Sequence, residues 1–368
     1  MKSTFGQNLI ISLFGESHGN AVGCVLDGFP SGLKIDFDFL NAQMDKRRAQ
    51  GNLSTARHEA DQVKFISGVK NGVTCGTPIC LMIENTSQHS KDYSKMRNIA
   101  RPSHADYTAE IKYGGFQDAD GGGHFSGRLT APLVAAGALC LQLLKEKGVT
   151  IGSHLYQMMD IKDDAFDALN PVTQIEVCNK KVFSVLNADA EKKMIECIEQ
   201  ARANKDSVGA VIETAVAGLP AGIGNPYFHS LESVLSHLLF SIGGVKGIEF
   251  GSGFDFAMMN GSKANDSFVV KENKVMTTTN HNGGINGGIS NGMPVLFKTV
   301  IKPTPSIYQM QKTVDFKSME NVDLEIEGRH DPCIAHRARV VIDSLTAIAV
   351  VDLMMSRSIE TDWMGKSK

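Results

Sequence analysis

The chain has 368 residues, 42% hydrophobic and 21% charged, the composition of a globular protein with ample material for a core. With 37 basic and 40 acidic residues the net charge is -3, which excludes a broadly basic nucleic-acid surface and an acidic disordered tail, so any anion site must be a local cluster. Seven scattered cysteines without a C-x-x-C pair argue against a disulfide scaffold or zinc ribbon and for a reducing, cytoplasmic setting.

In chain order, short apolar runs at 9–14, 22–26, 63–66 and 79–83 predict strands. Asp36 is placed to cap a helix running to about Lys46, which would deliver Lys46, Arg47 and Arg48 to a loop. Residues 101–107 stand at the head of another helix, with Ser103 as a possible cap. Thr130 and Pro132 read as the N-cap and an early position of an Ala/Leu-rich helix ending near Gly148. Its apolar stretch, interrupted by Pro132 and Gln142, is short for a membrane span and is expected to be buried within the protein or between subunits. Beyond it come a strand at 151–158, an amphipathic helix at 188–203, a strand at 210–216 and a helix at 231–241 leading into Gly243-Gly244. An Asn/Gly-rich loop fills 280–292, and a last, largely apolar helix covers 334–355. Regular βαβ alternation and repeats are absent, which predicts an α+β fold, a single domain over 1–368 and helices sandwiched between sheets.

Five clusters could carry chemistry. Gly15-Glu16-Ser17-His18-Gly19 follows a strand; it is either a tight turn with a bonded histidine or a proton-transfer site. Lys46-Arg47-Arg48, with Arg57 and His58 nearby, either complements a helix dipole or presents donors to phosphate or carboxylate. Arg101-Pro102-Ser103-His104-Ala105-Asp106 adds a cation and an imidazole, or is simply a helix start. Gly121-Gly122-Gly123-His124-Phe125-Ser126-Gly127-Arg128 precedes a helix without being a P-loop or G-x-G-x-x-G; it is a turn or an anion cradle. Downstream lie Asn280 to Gly288, Lys302-Pro303-Thr304-Pro305-Ser306 and Gly328-Arg329-His330-Asp331-Pro332-Cys333. Cations, imidazoles and amide donors beside glycines suit a multiply negative ligand, and no metal-ligand spacing accompanies them.

G-E-S-H-G, R-P-S-H-A-D-Y, K-P-T-P-S and G-R-H-D-P-C, in this order over nearly the whole chain, resemble the motifs of the chorismate synthase family. The resemblance implies a β-α-β sandwich, commonly a homotetramer. It also implies an anti 1,4-elimination of phosphate from 5-enolpyruvylshikimate 3-phosphate, needing reduced FMN without net redox change. By motif, His18 and His104 match the family's catalytic histidines, and Asp331 an aspartate that helps flavin accept the substrate proton. Arg47, Arg48, Arg128 and Arg329 match substrate-facing cations, and Arg57 and Arg101 are weaker matches. Flavin contacts map to His124, Phe125, Ser126, Gly243, Gly244, Gly287, Lys302, Pro303, Thr304, Pro305, Ser306 and Arg329, and an NADP contact to Arg47.

Three departures stand out. Lys46-Arg47-Arg48-Ala49-Gln50 replaces the commoner R-R-R-P-G, and Asn52 or Leu53 stands where many relatives have a second loop arginine. His124 replaces an arginine, and Phe125 a serine, which implies altered contacts and not loss of activity. The missing loop arginine favours dependence on externally reduced flavin over reduction by NADPH. The rival readings are an NADPH-dependent flavin reductase, which would need a nicotinamide site although no Rossmann fingerprint is present, and a catalytically inactive anion-binding relative, against which the intact His18, His104 and Asp331 argue.

Overall fold

The computed structural model describes residues 2–48, 61–86, 97–326 and 331–365. Period-two burial builds the first sheet. Its strands are β1 (Thr4–Phe5), β2 (Ile10–Gly15), β3 (Ala21–Asp27), β4 (Lys64–Ser67) and β5 (Ile79–Glu84), all antiparallel in the order β1-β2-β3-β5-β4. Val22, Cys24 and Leu26 face one way and pair in register with Ile83, Leu81 and Ile79. All six are fully buried, so one face of the sheet is a continuous apolar floor.

The second sheet has the order β9-β10-β8-β6-β7, again antiparallel. Its strands are β6 (Thr150–Met158), β7 (Ile161–Lys162), β8 (Ala210–Ala217), β9 (Val245–Phe250) and β10 (Val295–Ile301).

Between the sheets lie α1 (Phe37–Arg47), α3 (Thr130–Glu146), α6 (Leu231–Leu239) and the last helix, α7 (Ala335–Trp363). Outside this layer are α2 (Asp106–Tyr113), α4 (Val172–Lys180) and α5 (Ala188–Ala203). Helix α3 packs on β3 and β5, α7 packs on β6 and β8, and the two helices pack on each other. They cross so closely at Gly137 that a Cβ there would stand 2.2 Å from Ser344 Cβ. Helix α7 is buried from Ala338 to Leu353, mostly through apolar side chains but with Arg339, Asp343 and Asp352 among them. Gly127–Glu146 is the one stretch among the described residues long and apolar enough to cross a membrane, and most of it is buried in this fold.

Local chemistry explains where sequence expectations held and where they moved. The Asp36 side chain accepts from Phe39 N at 2.9 Å and starts α1 as anticipated. Thr130 is the first residue of α3 and not its cap; its hydroxyl turns back to Gly127 O at 2.6 Å. Ser103 does not cap α2, which begins at Asp106; its φ of 59° places it in the left-handed region of a turn. The loop at 280–292 contains a small strand pair, Ile285–Asn286 with Ile289–Ser290. Helix α7 outruns its expected end at 355.

Asp352 ties the termini together by accepting the backbone N–H groups of Gln7, Asn8 and Leu9 at 3.1, 2.7 and 2.9 Å. That contact positions β2, and so the turn that follows it.

Candidate active site

A cleft of about 970 Å³ opens where the edge of the first sheet meets the glycine run, the segment 302–306 and the start of α7. This is the upper end of the roughly 300–1,000 Å³ usual for small-molecule sites. Lining it are His104, His124, Phe125, Ser126, Gly243, Gly244, Lys302, Pro303, Thr304, Pro305, Ser306 and Asp331. Residues separated by over two hundred positions thus share one cavity.

The glycine run forms the wall nearest β2. Gly121, Gly122 and Gly123 have φ of 62°, 92° and 50°, a backbone that side-chain-bearing residues rarely adopt. Gly121 has a second reason to be glycine: a Cβ there would lie 1.8 Å from His18 Cε1. His18 itself is one residue behind the lining, its ring against Gly121. Ser17 Oγ bonds His18 Nδ1 at 3.1 Å and donates to Asp120 O at 3.2 Å, so the two turns move as one unit. His124 adds a further tie: Nδ1 donates to Gly15 O at 2.8 Å, which leaves Nε2 to accept from Ser3 Oγ at 3.1 Å. Phe125 lines the cleft half-exposed, near the Tyr113 ring. Ser126 Oγ accepts from Arg128 N at 3.2 Å.

The opposite wall carries His104. Arg101 grips Asp106 through Nε and Nη2, each at 2.8 Å, and this fork freezes the turn. His104 sits between Pro102 O, 3.1 Å from Nδ1, and Ser306 Oγ, 2.9 Å from Nε2. Burial, then the Arg101 guanidinium, hold its pKa below the ordinary histidine value.

Lys302 donates to Ser103 O at 2.8 Å. Its pKa is lowered by burial and by neighbouring Lys246, also in the cleft. A bound anion would relieve the repulsion that Lys302 feels there. Asp331 forms an ion pair with Arg337, from the first turn of α7, and both line the cleft.

Three of the arginines expected at the substrate, Arg47, Arg48 and Arg128, do not line this cleft. Arg47 Nη2 meets Asp61 at 2.7 Å, and Arg128 pairs with the other oxygen of the same carboxylate. Burial raises the Asp61 pKa, but the two guanidiniums outweigh it and leave it lowered. Arg47 Nη1 also approaches the hydroxyl of cleft residue Thr130 at 3.4 Å, so this cluster stands behind one end of the cavity. Arg48 pairs with Asp45. Lys46, pushed down to about 8 by burial and then by Arg339, belongs to the buried helix layer. Gly287, in the turn that joins the small strand pair, does not line the cleft. Arg329, together with Arg57, His58, Asn52 and Leu53, lies outside the described residues.

Sequence reasoning passed over Asp61, Lys246 and Arg337. Asp61 has no local signal, whereas Lys246 stands two residues after Gly244, and Arg337 six after Asp331.

Comparison with known proteins gives a consistent result. A family model described as chorismate synthase matches residues 9–355. The chain is 43% identical over 356 residues to the chorismate synthase of Methanobrevibacter smithii, covering 96% of this chain and 97% of that one. It is 40% identical over 365 residues to that of Thermococcus gammatolerans, covering 98% and 99%. A crystal structure of chorismate synthase superimposes with a TM-score of 0.76 at 25% identity, covering 96% of this chain and 93% of its own.

Proposed function

The chain belongs to the chorismate synthase family, and from that premise we propose how its own residues carry the reaction. The family's activity is that of a carbon–oxygen lyase of the shikimate pathway, which eliminates phosphate from 5-enolpyruvylshikimate 3-phosphate to give chorismate. The observation that carries the residue-level reading is the convergence of His104, Asp331 and the 302–306 segment on one cleft large enough for more than one small ligand.

We infer that reduced FMN is the cofactor. When bound, it supplies electron density to the substrate during carbon–oxygen cleavage and takes it back. The donor set fits such a group: a glycine-lined wall beside Ser126, the Lys302–Lys246 pair for its phosphate, and the half-exposed Phe125 as an apolar surface. Lys302, Pro303, Thr304, Pro305 and Ser306, with Gly243 and Gly244, would hold it; Arg329 and Gly287 keep their assignment by motif.

His104, neutral near pH 7, can take or pass a proton at Nε2, and His18 is held against the glycine wall by Ser17 and Gly121. Asp331, paired with Arg337 on the same cavity, would accept a proton. Arg47 and Arg128, which share one carboxylate, leave a net positive charge at the Thr130 end, where a substrate anion would be attracted; Arg48 is assigned there by motif. Arg47, also the family's NADP position, is engaged by Asp61 and Thr130, so it adds no support for NADPH as reductant.

We also propose a single domain and a homotetramer. One buried cluster runs through both sheets and the helices between them. Exposed apolar side chains, Tyr227, Phe228, Phe254, Met258, Phe268 and Val270, gather on three short segments and offer surfaces for self-association.

The test is an anaerobic assay of purified protein with 5-enolpyruvylshikimate 3-phosphate and chemically reduced FMN, following phosphate and chorismate. Both should appear in equal amounts. A parallel sample with oxidised FMN and NADPH should give neither, and product there would assign an intrinsic flavin reductase. No product with folded protein under reducing conditions would overturn the reading.

A further inference from the structure

The contacts of His104 give the segment 302–306 a task beyond holding a cofactor, an inference that rests on the function proposed above. A carbonyl oxygen can only accept, so the 3.1 Å approach of Pro102 O places the ring hydrogen on Nδ1. Nε2 is then the bare nitrogen, and Ser306 Oγ, 2.9 Å away, donates to it. Around the ring stand Arg101 and Asp106 from its own turn and Lys302 from the facing segment. Arg101 and Asp106 bond each other, and Lys302 bonds Ser103 O, so none of these three fixes the imidazole. The turn is rigid, but the ring's rotation about its side-chain bonds is set at one end by a backbone carbonyl and at the other by a single hydroxyl.

We propose that Ser306 is the positioning residue of His104: with the tautomer set by Pro102 O, its hydroxyl fixes the ring's rotation and so holds Nε2 on the cleft wall as the working nitrogen. A serine that only lined a flavin pocket would have no reason to face that atom. Because Ser306 stabilises the neutral ring by donating to it, its removal favours protonation of His104.

Two variants test this, Ser306→Ala and the conservative Ser306→Thr. In flavin-free protein, diethyl pyrocarbonate acylates unprotonated imidazole nitrogens, and peptide mass spectrometry locates the adduct. His104 should react several-fold faster in Ser306→Ala than in the unaltered protein, and slow again in Ser306→Thr. With reduced FMN saturating, Ser306→Ala should lose roughly 10- to 100-fold in kcat, the size of loss expected when a reacting group is misplaced. Its FMN affinity, read by flavin fluorescence, should fall by less than its kcat does. The limb of the pH–rate profile belonging to His104 should move to higher pH, and Ser306→Thr should restore both rate and profile. Unchanged acylation of His104 in Ser306→Ala, or a defect confined to FMN affinity with kcat and the pH limb unmoved, would overturn the proposal. If the unaltered protein itself released no phosphate, the proposed reaction would fail, and the acylation rates would still decide the role of Ser306.

Discussion

His154 and His104 each engage partners through both ring nitrogens, yet their surroundings push them in opposite directions. His154, on β6 of the second sheet, lies between Asp163 at 2.7 Å and Glu213 at 3.0 Å and is fully buried. Burial would lower its pKa, but the two carboxylates outweigh it and raise it. His104, on the cleft wall, faces a carbonyl and a hydroxyl instead, and burial, then Arg101, lower its pKa. The first is a stored charge that holds the second sheet together: Asp163 also receives the N–H groups of Leu186 and Asn187, and Glu213 that of Phe166. The second is disfavoured as a cation and sits on the wall of a cavity. Neighbour chemistry, more than burial, separates structural from reactive imidazole.

The comparison can be sharpened on its reactive side first. Asp331→Asn and His18→Ala should each cut turnover by about 10²–10⁴-fold, the usual weight of a proton-transfer group, while FMN binding and Tm stay near those of the unaltered protein. Near-normal kcat in either would remove that residue from the mechanism.

On the structural side, His154→Gln leaves two buried carboxylates without their cation. It should cost about 3–5 kcal/mol of stability, measured by denaturant unfolding, with turnover per folded molecule intact. A variant of normal stability would mean that the Asp163–His154–Glu213 cluster stores no charge.

A third test reads pH. His154 has its folded pKa raised, so its stabilising contribution is complete below the unfolded value near 6.5 and is lost as pH rises through the folded value. His336 is the reverse, pushed down to about 4 by burial. Between about pH 6.5 and 4 the unfolded chain binds a proton there that the folded chain refuses, so stability falls as pH falls, by about 3 kcal/mol in all. Tm measured across that window should drop less steeply in His336→Asn than in the unaltered protein; parallel curves would contradict the assignment.

The smallest effect is expected at Phe125→Ser, which restores the family's commoner residue. A half-exposed ring at a cleft edge contributes on the order of 1 kcal/mol, so FMN affinity should change by less than about tenfold.

Much of the fold was legible in the sequence, for stated physical reasons. Alternation marked the strands at 22–26 and 79–83 because one face of each is buried, and Asp36 marked the start of α1 because it caps. The cap assigned to Ser103 failed because that residue sits in the left-handed region of a turn ahead of α2, and the one assigned to Thr130 failed because its hydroxyl bonds back to Gly127 O. In the candidate site, the motifs named His104, Asp331 and 302–306, and the fold brings all of them to one cleft. They could not reveal that Arg47 and Arg128 converge on Asp61, since tertiary packing alone brings positions 47, 61 and 128 together. The His154 cluster was invisible for the same reason: positions 154, 163 and 213 form no motif and meet only across the second sheet.

The central claim is that the elimination runs on the cleft wall at His104 and not at the buried imidazole of the second sheet. The most direct measurement is the ratio of kcat for His104→Gln to that for His154→Gln, per folded molecule, under anaerobic conditions with saturating reduced FMN. The account predicts a ratio of about 0.01 or lower, the loss of one proton-transfer group. A ratio near one would contradict it.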